Sequence, residues 1–334
     1  MKPDMSSDRR SNMLETALIG DIGGTNARFA LVKQGSFELE HILILRCADY
    51  LRLEDAIRDY LKRVGAAGAL APQEACLAFA CPVHDDEVSM TNNAWRFSKR
   101  RVKDALGLSL FKVINDFTAQ ALGVPHLLAD ELISINTGTS EPHRARLIIG
   151  PGTGLGVAGL FPGQNNWIPL PTEGGHVTFA PTDDRERELL GYFQEKYGRV
   201  SVERLLCGQG LLDLYRAHAD LAAQAPRYNS AAEVTGAARA GDALAEEVLL
   251  RFLKILGDVC GDAALMIGAH GGIYLCGGIL PRLIDWLQRS RFREAFTDKG
   301  RMSAYNERIP VWVVNAPWTG LLGAAEALHN KEVE

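Results

Sequence analysis

Two glycine-rich turns, each set between apolar runs of strand length, constrain this chain more than any bulk property. The first is Gly20-Asp21-Ile22-Gly23-Gly24-Thr25-Asn26, which closes the apolar run 17–21 and hands over to a second at 28–32. The second is Gly150-Pro151-Gly152-Thr153-Gly154-Leu155-Gly156, between runs at 146–149 and 157–161. Strand, glycine turn and strand read as a β-hairpin. After each hairpin come further short strands and then helical patterns. That order, met twice, predicts an α/β chain of two domains with related cores. A length of 334 residues agrees, at roughly 100–200 residues per domain. No low-complexity linker separates the halves. The boundary is expected near Asp116, where a strand passes to a helix: a small domain over 16–115, completed by a C-terminal helix in 318–334, and a large domain over 116–317.

Local patterns fill in the elements. Leu53, Ile57, Tyr60, Leu61 and Val64 sit at helical spacing. Ser98 is placed to cap a helix running through Leu106. The run 110–114 reads as a strand ending at Asn115-Asp116. Asp183, followed three residues later by Glu186, predicts a capping box. Ser201 could cap a helix holding Glu203 and Leu205. A long amphipathic helix is expected over 242–266, a buried strand over 273–276 stopped by Gly277-Gly278, and a terminal helix over 321–328.

Composition excludes several classes. The net charge of −5 argues against a broad basic surface for nucleic acid. Residues 1–15 are polar, lack the apolar core of a signal peptide and are expected to be disordered. The stretch nearest to a membrane span, 263–280, contains His270 and five glycines and is too short and broken to cross a bilayer. None of the six cysteines forms Cys-x-x-Cys with another, which weakens zinc-ribbon and thioredoxin readings and fits a reducing cytoplasm.

The glycine turns also carry the chemistry. Adjacent glycines let successive N–H groups face an anion, and Thr25 and Thr153 add hydroxyl donors. Asp21, at a strand end, could face a phosphate-bound Mg²⁺ directly or through water. A plain tight hairpin with a surface Asp is the competing reading. Gly154-Leu155-Gly156-Val157-Ala158-Gly159 formally matches the dinucleotide fingerprint, but that motif must open a helix, and 157–161 reads as a strand. Asp116, at the C-terminal end of a strand, could take a proton from a substrate hydroxyl. Capping a helix is the commoner employment of such an Asp. Glu173-Gly174-Gly175-His176 sets a carboxylate and an imidazole around two glycines, suited to sugar hydroxyls. An ordinary turn is the alternative. Glu203, in the first turn of an expected helix, is explained by the helix dipole alone. Gly277-Gly278 permits close packing against a flat group such as adenine, or merely a turn before Pro281.

Taken together, these segments resemble the bacterial glucokinase family of the hexokinase and actin-like ATPase superfamily. The pieces are Gly20 to Arg28, Thr91-Asn92 with Trp95, Ile114-Asn115-Asp116-Phe117, Gly152 to Gly156, Glu173 to His176, Ser201-Val202-Glu203-Arg204 and Cys276-Gly277-Gly278. The resemblance covers nearly the whole chain. It implies an actin-like ATPase (ribonuclease H-like) fold of two domains with a cleft closing on glucose. It implies that Asn115, Asp116, Glu173, His176 and Glu203 bind the sugar, with Asp116 as general base. It implies that Gly20, Asp21, Ile22, Gly23, Gly24, Thr25, Gly152, Thr153 and Gly154 serve the ATP phosphates, Gly277 and Gly278 the nucleoside, and Asp21 the Mg²⁺. A homodimer is implied as well. A kinase for another hexose or amino sugar, and a sugar-responsive regulator without turnover, are the other readings. Related sugar kinases and repressors carry a zinc-binding Cys cluster, but no Cys occurs here between Cys81 and Cys207. Residues 1–15 are too few for a helix-turn-helix.

Overall fold

The first glycine turn joins two strands of one sheet. In a computed structural model, which describes residues 16–91 and 93–333, β1 (Thr16–Ile22) and β2 (Asn26–Lys33) pair antiparallel, with Asp21 opposite Arg28. The Gly23 N–H closes the turn on the Asn26 carbonyl at 2.9 Å. β3 (Leu39–Arg46) adds antiparallel to β2, while β4 (Glu74–Phe79) pairs parallel with β1. A small hairpin of β5 (Glu87–Ser89) and β6 (Arg96–Ser98) precedes β7 (Leu110–Asn115), which pairs parallel with β4. The order is β3-β2-β1-β4-β7. Helix Leu53–Arg63 buries Leu53, Ile57, Tyr60 and Leu61, the positions its apolar spacing selects. Ser98 caps helix Lys99–Leu106 by accepting the Arg101 N–H at 3.2 Å. The expectations for residues 1–15 and for Asn92 lie outside the described residues.

Helix Asp116–Gly123 packs against the last helix, Thr319–His329, at backbone distance. A Cβ on Gly323 would stand 1.7 Å from the Ala119 carbonyl oxygen, and one on Gly123 would stand 2.1 Å from that of Thr319. Only residues without a side chain permit this approach. Lys112 strengthens the join, its Nζ donating to the carbonyls of Ala327, Asn330 and Val333 at 3.1, 2.9 and 2.7 Å. The first compact unit therefore runs through Leu128 and includes Gly163–Pro171 and the chain from Ala316 onward. The sequence reading draws the line at Asp116 because a strand ends there. The helix that follows is held to the first unit by small-residue packing.

The second unit, Ala129–Pro162 and Thr172–Asn315, repeats the opening arrangement. After the short β8 (Leu132–Ser134), β9 (Arg146–Pro151) and β10 (Leu155–Pro162) form the second glycine hairpin. β11 (Trp167–Thr172) straddles the division between the units. β12 (Ile273–Leu275) pairs parallel with β9, and β13 (Val311–Val314) parallel with β12. In each unit, then, the first hairpin strand has its antiparallel partner on one side and two parallel strands in succession on the other. Helix Ala243–Ile267, capped by Asp242, buries Val248, Leu249, Phe252, Leu253, Ile255 and Leu256 in the core of this unit.

Two expected caps differ in detail. Asp183 does accept the Glu186 N–H at 2.9 Å. The Glu186 carboxylate, fully buried, turns instead to the Thr182 N–H and to Arg251 and Lys254, so the box is half made. Ser201 makes no side-chain cap, and Val202–Arg204 is a single 3-10 turn. The α-helix begins later, at Gly208–Leu221, where the Cys207 sulfur accepts the Gly210 N–H. All six cysteines are free and buried. Among the described residues no helix is long and apolar enough to cross a membrane.

Candidate active site

In the first unit the predicted residues gather where β1, β7 and two helix starts come together. Asp21 ends β1, and the hairpin register places Arg28 across from it, Nη1 to Oδ2 at 3.3 Å. Burial pushes the Asp21 carboxyl above its ordinary range, against the pull of Arg28. The start of helix Thr319–His329 lies beside it: a Cβ on Gly320 would meet the Asp21 carboxylate carbon at 3.0 Å and Gln120 Nε2 at 3.3 Å.

Asn115 and Asp116 divide the work at the end of β7. Asn115 is the cap of helix Asp116–Gly123, its Oδ1 accepting the N–H groups of Phe117 and Thr118 at 2.9 and 3.4 Å. Its Nδ2 donates to the Cys81 carbonyl at 3.4 Å. Capping is thereby assigned mainly to Asn115. Asp116 Oδ1 accepts the Phe117 N–H at 2.9 Å. Burial first, and the charge of Asp21 second, push its carboxyl up to about 6. A carboxylate so placed is a stronger base than a solvated one, yet ionised at neutral pH.

Not every glycine of the first motif serves the turn. Gly20 is buried inside β1, where a Cβ would stand 2.7 Å from Leu77 Cδ2. The Ile22 side chain is in the core. Gly23, Gly24 and the exposed Thr25 form the tip. Trp95, part of the family pattern, is buried and donates its indole N–H to the Tyr50 carbonyl.

In the second unit the glycine loop is tied at three points. The Gly152 N–H donates to the Gly154 carbonyl at 2.8 Å, and the Gly208 N–H donates to the Gly152 carbonyl at 2.9 Å. The Leu155 N–H donates to Glu203 Oε2 at 2.9 Å. Among the described residues the amides of Thr153 and Gly154 have no protein acceptor, which leaves them for a ligand. The stretch after them is the strand β10, so the formal dinucleotide match is not that motif.

Glu173 and His176 flank one 3-10 turn, Gly174–His176, and both are exposed. His176 Nε2 lies 3.9 Å from Glu173 Oε2 and 3.9 Å from Glu203 Oε1. The two glycines between them answer to packing: a Cβ on Gly175 would stand 2.3 Å from the Leu155 carbonyl oxygen, and one on Gly174 would stand 2.9 Å from Val157. The loop 173–176 thus rests on the hairpin of β9 and β10. Gly277 is left-handed (φ +89°), and a Cβ there would meet the Pro151 carbonyl oxygen at 2.7 Å, whereas Gly278 has open space around it. Close approach by a ligand is therefore available at Gly278, while Gly277 is required by the fold itself.

Sequence reasoning missed the hydrogen bond of Glu203 to the Leu155 amide, hidden by the expected helix, and the partnership of Arg28 with Asp21. The hairpin register was a usable signal for Arg28. Among the described residues no group of three or more His, Cys, Asp or Glu side chains forms a metal cage. Asp21 is a single half-buried carboxylate whose charge acts on Asp116. That suits an ion that keeps its waters and rides on substrate phosphates.

Comparison with known proteins fits this geometry. The family model for glucokinase matches residues 18–331. A glucokinase of Chromohalobacter salexigens is 73% identical over 321 residues, covering 96% of this chain and 100% of that protein. One of Marinobacter nauticus is 55% identical, covering 95% and 98%. The crystal structure of a glucokinase from an Antarctic psychrotroph superposes with a TM-score of 0.87 at 36% identity, covering 95% of this chain and 99% of that one.

Proposed function

Because the chain belongs to the glucokinase family, we propose that its two residue groups carry phosphoryl transfer from ATP to the 6-hydroxyl of glucose. It is an ATP-dependent hexose kinase with the two-domain actin-like ATPase fold. Within that activity, Asn115, Asp116, Glu173, His176 and Glu203 pair with the sugar hydroxyls. Thr153 and Gly154 offer their free amides, and Thr25 and Thr153 their hydroxyls, to the phosphates. The tip of the first hairpin, Gly23 and Gly24, approaches the same groups, with Gly20 and Ile22 seating it in the sheet. Gly278 lies against the nucleoside, with Gly277 setting its position.

The observation that carries this reading is Asp116: a half-buried carboxylate relieved of most capping duty, and pushed by desolvation first and Asp21 second into the range of a working base. Asp116 accepts the 6-hydroxyl proton as that oxygen bonds to the γ-phosphorus. The bond from the γ-phosphorus to the bridging oxygen breaks and ADP departs. Positioning and charge stabilisation do most of the rest. Mg²⁺, which Asp21 would hold directly or through water, neutralises charge on the transferring group when bound.

A coupled ADP-release assay over a panel of hexoses and amino sugars tests this. Release should depend on glucose, and Asp116→Asn should lower kcat by roughly 10²–10⁴ while changing glucose affinity less. Equal ADP release with and without sugar, or near-normal kcat in the variant, would overturn the assignment. We also place the enzyme in the cytoplasm, as a homodimer; a monomer mass by light scattering would remove the dimer.

A further inference from the structure

Glu203 faces two ways. Its Oε2 accepts the Leu155 N–H at 2.9 Å, and its Oε1 is turned toward His176 at 3.9 Å. The side chain is 29% exposed, open enough to meet a sugar and buried enough for its hydrogen bond to count. The loop is shaped around it: a Cβ on Gly154 would stand 2.5 Å from Oε2, so the absence of a side chain at 154 makes room for this carboxylate. The amides of Gly152 and Leu155 are engaged, one by Gly154 and one by Glu203, whereas among the described residues those of Thr153 and Gly154 have no protein acceptor. The loop that carries the two free amides is thus held in part by a residue whose other oxygen faces His176.

We propose that Glu203 is a positioning residue for the phosphate loop as well as a sugar ligand, so that sugar and nucleotide bind with positive coupling through its carboxylate. The proposal rests on the reading of 152–154 as a phosphate loop and of Glu203 as a sugar contact. A sugar that immobilises Oε1 also immobilises Oε2, and with it the Leu155 amide. The loop then loses less freedom when phosphate arrives. Linkage makes the effect mutual: nucleotide raises sugar affinity by the same factor. The Glu203 charge itself repels phosphate, so the anchoring role appears only when charge and hydrogen bond are separated.

Glu203→Gln and Glu203→Met separate them. Both are neutral and of similar length, but only Gln keeps an oxygen to accept the Leu155 N–H. Binding of MgADP to the full chain is measured by calorimetry without sugar, and binding of glucose without nucleotide. E203M is expected to bind MgADP roughly tenfold more weakly than E203Q, the usual cost of stranding a buried donor. The increase in MgADP affinity that glucose produces in the parent enzyme should shrink to about none in E203M. Equal MgADP affinity in E203Q and E203M overturns the proposal. The underlying readings fail differently. Unchanged glucose affinity in both variants removes Glu203 as a sugar ligand, and with it the coupling. Gly152→Val, at a position with open space around it, should weaken MgADP binding; no change there removes the loop from phosphate binding and the inference with it. Thermal melting checks each variant, and Glu203→Ala replaces E203M if that protein does not fold.

Discussion

Asp116→Asn should make the ligand-free protein more stable as well as inactive. The folded carboxyl is raised from 3.8 to about 6, so the unfolded chain gives up its proton first. A raised group contributes stability that is complete below the unfolded value and is lost as pH rises through the folded one. With about 2 units of difference at 1.36 kcal/mol each, ionised Asp116 costs the fold about 3 kcal/mol at neutral pH. Asparagine keeps the shape and carries no charge. The stability gap between variant and parent should be about 1.6 kcal/mol at pH 5 and about 3 kcal/mol at pH 7.5 and above. Urea unfolding of both proteins at several pH values, without sugar or nucleotide, reads the gap directly. A variant no more stable than the parent at pH 7.5, or a gap that does not grow with pH, would refute the claim that burial and Asp21 raise this carboxyl.

The acid limb of kcat/KM against pH should rise through about 6 and then level off, because Asp116 must be ionised to accept a proton; a limb near pH 4 would count against the assigned base. Gly323→Ala should cost about 3 kcal/mol or more in urea unfolding, since its Cβ would stand 1.7 Å from a carbonyl oxygen. Gly236→Ala, within helix Ala231–Arg239 and with open space around it, should instead add about 1 kcal/mol. Glu186→Leu leaves Arg251 and Lys254 short of their buried partner, and unfolding should show a loss of about 3–5 kcal/mol.

What the sequence revealed was what is local. The caps at Ser98 and Asp183 and both glycine hairpins rest on neighbours a few residues away, and those are legible in one dimension. The division of labour between Asn115 and Asp116 was not legible. Both are good caps, and Asp21, which sets them apart, arrives from another strand. Glu203 was misread for a related reason. Its segment carries helix-forming residues but turns once as a 3-10 element, and the bond that matters runs to Leu155. Helix Gly208–Leu221 opens with Gly-Gln-Gly, which reads as a turn. Gly210 is there because a Cβ would stand 2.5 Å from the Leu205 carbonyl oxygen. In the same way Gly20, Gly174 and Gly175 answer to strands that sequence patterns cannot place beside them. The family pattern located these residues together, and only their three-dimensional surroundings separate those required by packing from those left open to ligands.

The helix Thr319–His329, seated on Gly123 and Ala119 and tied by Lys112, bears on how the protein is made. Translation delivers β1 to β7 first, but the helix that closes over them is synthesised only after the last strand of the second unit. Meanwhile the second unit has all its strands once Val314 has emerged. The earliest-synthesised sheet thus waits longest for its cover, with the inner face of helix Asp116–Gly123 bare in the interval. That interval is when a nascent chain is most open to misassembly and to chaperone capture. Removing helix Thr319–His329 should therefore be felt first as poor yield, before any effect on turnover can be measured.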